Sequence, residues 1–153
     1  MQEVDAVLVQ EMEGLLDQVA ARESDLVASY VASGGEYDRK VSVEKTQGIP
    51  GGGIIELAGP ILLHFVVLIA MDVISEARKK GAEIVVTKLS EYLLSKLRKS
   101  LPAKPKHKEE MTQAIIMSLK DAGWEQSRAT EAANLTWERG VAAGQQLSQL
   151  ETL

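Results

Sequence analysis

Few residues in this chain can do more than pack, and their spacing limits what they can do. His64, Asp72 and Glu76 follow at i, i+8 and i+12. On a helix this places them close to one line, with Pro60 and Leu68 filling the intervening turns. A histidine and two carboxylates in line are raw material for a metal site or for proton transfer. A rise of about 1.5 Å per residue, however, puts His64 about 12 Å from Asp72, too far for direct pairing. The second histidine, His107, sits in a basic, proline-rich stretch, so no pair has ligand spacing. The absence of cysteine removes thiolate chemistry, disulfides and Cys-based zinc sites. No serine lies in a GxSxG context. These patterns predict a protein that is not an enzyme, with no cofactor, no metal and no small-molecule substrate.

The glycine-rich run Gly48-Ile49-Pro50-Gly51-Gly52-Gly53 raises the question of phosphate binding. Gly48 and Gly53 have Walker A spacing, but Ile54 and Ile55 occupy the positions that need Lys and Ser/Thr. The run, with Gly48, Pro50, Gly51, Gly52 and Gly53 as its turning points, reads instead as a hinge. Charge is segregated around it. Glu3, Asp5, Glu11, Glu13, Asp17, Glu23 and Asp25 face Arg22 alone in the first segment, whereas Lys96, Arg98, Lys99, Lys104, Lys106 and Lys108 form a basic patch without acids. Such a patch suits phosphate or anionic lipid. It lacks interleaved aromatics, and the chain carries a net charge of −5, so nucleic acid is not the expected partner.

The elements that must position these residues are mostly helical. Val4, Leu8, Met12, Leu15, Val19, Leu26 and Tyr30 recur at three- and four-residue steps, predicting one helix over 3–32 that stops at Ser33-Gly34-Gly35. Arg22 interrupts its near-heptad spacing. Residues 39–46 alternate around Val41 and Val43, predicting a minor β element or extended arm. A long apolar helix is predicted over 54–80, with Pro60 tolerated near its start and Gly81 as a C-cap. An amphipathic helix runs to Leu101. Residues 102–108 read as a basic linker, dividing a helical body over 1–101 from a helical tail over 109–153. In the tail, breaks are expected at Ala122-Gly123-Trp124 and at Gly140. With aromatics at only 4 %, the core must be aliphatic. The fold class is mainly α, a helical bundle around a central apolar helix.

That apolar helix carries the main ambiguity. Its uncharged run extends from Leu57 to Met71, shorter than the roughly 20 residues of a simple span, which favours a buried core helix. The stripe of His64, Asp72 and Glu76 suits a helix with one edge near solvent. The same stripe also suits a pore-lining or membrane-inserting helix, because ionisable residues in a bilayer are costly and usually functional. The N-terminus is acidic and amphipathic rather than leader-like. A cytoplasmic protein is expected, with conditional membrane association as the alternative.

Residues 114–147, AIIMSLKDAGWEQSRATEAANLTWERGVAAGQQL, resemble ubiquitin-associated (UBA-like) three-helix domains. The resemblance implies that Leu119 closes the first helix and Ala122-Gly123-Trp124 forms the loop. It also implies that Ala129 and Ala132 or Ala133 are packing residues, with a third helix supplying Val141 and Leu147. Gly123, Trp124 and Trp137 would then form a docking surface. In its order of elements alone, the stretch 4–94 is similar to accessory, effector-associated components of bacterial conflict systems, which implies an adaptor role. The expected function is a protein–protein interaction module, an adaptor, assembly or regulatory subunit that self-associates or binds a protein. The alternatives are a membrane-active protein inserting 54–75 and a phosphate- or nucleic-acid-binding accessory acting through 96–108.

Overall fold

The computed structural model describes residues 2–33, 58–78 and 107–150. Of these, 93 % are helical, and no strand occurs among the described residues. The extended arm around 39–46, the hinge 48–53, the helix beyond Gly81 and the basic residues Lys96, Arg98, Lys99, Lys104 and Lys106 lie outside the described residues.

Five helices and a 3-10 segment make up the described fold: α1 (Gln2–Val19), the 3-10 segment (Ala21–Leu26), α2 (Val27–Ser33), α3 (Ala58–Arg78), α4 (Lys108–Asp121) and α5 (Gln126–Leu150). α1 buries Val4, Leu8, Met12, Leu15 and Leu16, the stripe set by its spacing. The single helix expected over 3–32 is broken. Ala20 adopts φ −155° and ψ 65°, and a 3-10 segment follows. The interruption falls beside Arg22, where the apolar repeat lapses, and it swings Glu23 inward.

α3 is the centre of the bundle. Leu62, Leu63, Phe65, Val66, Val67, Ile69, Ala70 and Ile74 are all buried, so α3 is covered on most of its circumference. Each of the Leu, Ile, Val and Phe side chains among them stabilises the fold by about 1.5–3 kcal/mol when fully removed from water. Pro60 sits in the first turn of α3, where its missing N–H is not needed.

The most extensive helix contact is between α3 and α5. α5 is continuous through Gly140, contrary to the expected break. The residue is a glycine because α3 lies against it. A Cβ on Gly140 would stand 2.6 Å from Ile69 Cβ, and one on Gly144 would stand 2.6 Å from Val73 Cβ and 3.0 Å from the Ala70 carbonyl oxygen. These glycines, one helical turn apart, continue a buried stripe of Ala129, Ala132, Ala133 and Thr136 and alternate with Ala143 and Leu147. Thr136 settles its buried hydroxyl by donating to the Ala132 carbonyl at 2.7 Å. Residues 108–150, expected to lie past the linker as a tail, therefore contribute to the same core cluster as α1 and α3.

α4 ends as its sequence requires. Gly123 has φ +101°. The Gly123 and Trp124 N–H groups donate to the Lys120 and Leu119 carbonyls at 3.0 and 2.9 Å, a Schellman closure. Gly140→Ala should lower stability by about 1–3 kcal/mol despite the better helix propensity of alanine, because the new methyl overpacks against Ile69. Exposed Gln145→Ala should change little. Urea denaturation of the two variants compares them directly.

Candidate functional site

Glu23 is the buried carboxylate that organises one end of the bundle. The bend at Ala20 carries it to the start of α3. There the Ala58 N–H donates to Oε2 at 3.0 Å and the Gly59 N–H donates to Oε1 at 2.7 Å. The Tyr30 hydroxyl, from α2, also donates to Oε1 at 3.0 Å. Since Pro60 has no N–H, Glu23 satisfies two of the three donors that the first four residues of α3 leave without helical partners. It also places negative charge at the positive end of the helix dipole. A Cβ on Gly59 would run into the Tyr30 ring, so this residue must be glycine for the tyrosine to reach the carboxylate. Burial pushes the Glu23 carboxyl above its ordinary value, and the hydrogen bonds from Gly59, Ala58 and Tyr30 only partly offset this.

A second buried carboxylate ties α1 to α5. Arg139 Nη1 donates to Glu11 Oε2 at 3.2 Å, and Gln146 Nε2 donates to Glu11 Oε1 at 2.6 Å. The guanidinium crosses α1 at Gly14, where a Cβ would stand 2.7 Å from Arg139 Cζ. These contacts join residues far apart in sequence and act as a registration device for the two helices.

The stripe on α3 does not converge into a site. His64 and Asp72 are half-buried, and Glu76 is exposed. The His64 ring meets Phe65 edge-on, with centroids 5.8 Å apart and planes at 76°. Its Nε2 is buried without a hydrogen-bond partner among the described residues. No group of three or more His, Asp or Glu side chains is placed to hold a metal among the described residues.

At the α4–α5 hairpin, Trp124 is half-buried against the core, and Arg128 lies over its ring with Cζ 4.6 Å from the centroid. Arg128 Nη2 also donates to the Val19 carbonyl at 3.2 Å, capping the last turn of α1. Met117, on the last turns of α4, is 64 % exposed. Gly123 and Trp124 are thus brought together at the hairpin. Trp137 is not, since it packs against the core roughly 16 Å along α5 from its start. Lys108, the described member of the basic patch, is exposed at the start of α4.

Sequence reading missed Glu23, Glu11 and the glycine pair. Gly140-x-x-x-Gly144 was a usable signal for close helix contact. The carboxylates had none, since on their own helices they look like ordinary surface acids. In comparisons with known proteins, no family model matches the chain, and neither a curated protein nor a solved structure is significantly similar to it.

With its folded-state pKa raised, Glu23 contributes stability that is fully present below the ordinary value near 4.5 and is lost as pH rises through the raised value. Glu23→Gln should remove that slope in urea denaturation above about pH 4.5. Glu23→Ala should cost about 1–3 kcal/mol at neutral pH, because three donors lose their acceptor.

Proposed function

We propose that the chain is a non-enzymatic helical module working through protein–protein contact, with the α4–α5 hairpin as its contact surface. The observation that carries this reading is that the hairpin presents both a solvent-facing Met117 on α4 and a Trp124 ring held under Arg128. Tryptophan and arginine dominate the energetics of protein interfaces, and methionine is enriched there. The Schellman closure at Gly123 and the Arg128 bond to α1 hold these groups without a partner present, which lowers the ordering cost of association. The partner is another protein or a second copy of the chain. Adaptor, assembly and regulatory roles all use such a surface.

A second reading is favoured by α3. Ala58–Glu76, 19 residues, is long and apolar enough to cross a membrane by length and composition. The uncharged run alone is shorter than a span, but the helix continues past Asp72. In the bundle, 56 % of this stretch is buried, so insertion in this reading requires α3 to leave its neighbours.

Light scattering on the purified chain, alone and with proteins captured from its native cell and then identified, should show a discrete oligomer or complex. Truncating a hot spot costs about 2 kcal/mol or more. Trp124→Ala should therefore weaken the assembly roughly tenfold or more, and Met117→Ser, which leaves the core intact, should weaken it to a smaller extent. A clean monomer that retains no partner would count against the interaction reading.

A further inference from the structure

We propose that α3 is an acid-released membrane-inserting helix and that His64 is the residue that senses the proton, an inference that rests on the second reading above. Buried polar atoms in folded proteins are nearly always hydrogen-bonded, and an orphan calls for an explanation. His64 Nε2 is such an orphan among the described residues, in the first half of the membrane-length stretch. While neutral, the imidazole is a tolerable half-buried side chain with its edge against Phe65. A proton on Nε2 creates a cation with no acceptor there, and burying an unpaired charge is far costlier than burying a neutral ring.

Among the described residues, the surrounding elements offer no counter-charge bonded to it. Among the described residues, the buried or half-buried titratable and charged groups on these elements are Asp5 and Glu11 from α1, Glu23 from the 3-10 segment, Tyr30 from α2 and Arg139 from α5. Glu11 is bonded to Arg139, and Glu23 accepts from Tyr30. α4 buries only Met111, Ile115, Ile116 and Leu119. On α3 itself, Asp72 and Glu76 lie two and three turns further along.

In the released helix the imidazole meets water and keeps its proton, so the proton bound on release is what lets acid shift the equilibrium. Glu23 is not the trigger. Its carboxyl titrates with the opposite sign, so its protonation favours the closed bundle.

The test uses the full chain with dye-loaded vesicles of equal parts phosphatidylcholine and phosphatidylglycerol. The wild type should stay in the aqueous phase at neutral pH. It should float with the vesicles and release dye at about pH 5.5, where an exposed histidine is charged. His64→Leu, which makes α3 more apolar, should nonetheless lose acid-induced flotation and release. His64→Gln, neutral at every pH, should do the same, and circular dichroism checks that both are folded. If either folded variant follows the wild-type pH profile, or if the wild type inserts equally at neutral pH, the sensor role is overturned while insertion stands. If the wild type floats at no pH, the membrane reading fails and the sensor falls with it.

Discussion

A helix of 21 residues that is apolar on most of its circumference cannot be left in water, and the enclosure of α3 is the requirement that every other described element answers. α5 answers it with small residues. Gly140 and Gly144 let its backbone settle onto Ile69 and Val73, so the longest described helix covers α3 closely. α1 adds an aliphatic stripe, and α4 closes the remaining space with Met111, Ile115, Ile116 and Leu119. Dense contact of this kind is sensitive to single methyl groups, because close-packed interiors relax only partially.

Two buried carboxylates then solve separate problems. Glu23 closes the end of α3, where the first backbone N–H groups would otherwise be buried without acceptors. Glu11, with Arg139 and Gln146, sets α1 against α5. The first is a remote helix cap and the second a registration contact. Both carry the desolvation cost common to buried charge, and both are offset by several hydrogen bonds. Among the described residues His64 is the exception in this polar accounting, and its orphan nitrogen on the helix with membrane-spanning length links the fold to the proposed acid response.

Much of this architecture was legible before folding. The α1 stripe, Pro60 in a first turn, the α4 boundaries and the turn at Gly123 all follow from residue spacing and backbone preference, which act within a few residues. The break at Ala20 was less legible, because the lapse at Arg22 is a weak local signal and the bend depends on where Glu23 goes. Gly140 was misread for a related reason. Glycine in a helix pattern usually weakens it, and only the presence of Ile69 explains why a helix keeps one there. Gly123 and Trp124 share the hairpin because they are adjacent in sequence, whereas Trp137 packs against the core further along α5.

Local spacing was enough to establish that this chain is mainly helical, that its core is aliphatic and that one helix dominates its hydrophobicity. Tertiary structure decided how that helix is covered. It showed that residues past the linker join the enclosure and that two acids of the acidic N-terminal segment are buried. It also showed that one ring nitrogen of His64 is buried without a hydrogen-bond partner among the described residues. The division has a physical cause. Helical periodicity and turn chemistry are encoded over three to five residues, whereas the partner of Glu23 lies 36 residues away and that of Glu11 lies 128 away. No local pattern can specify such pairings.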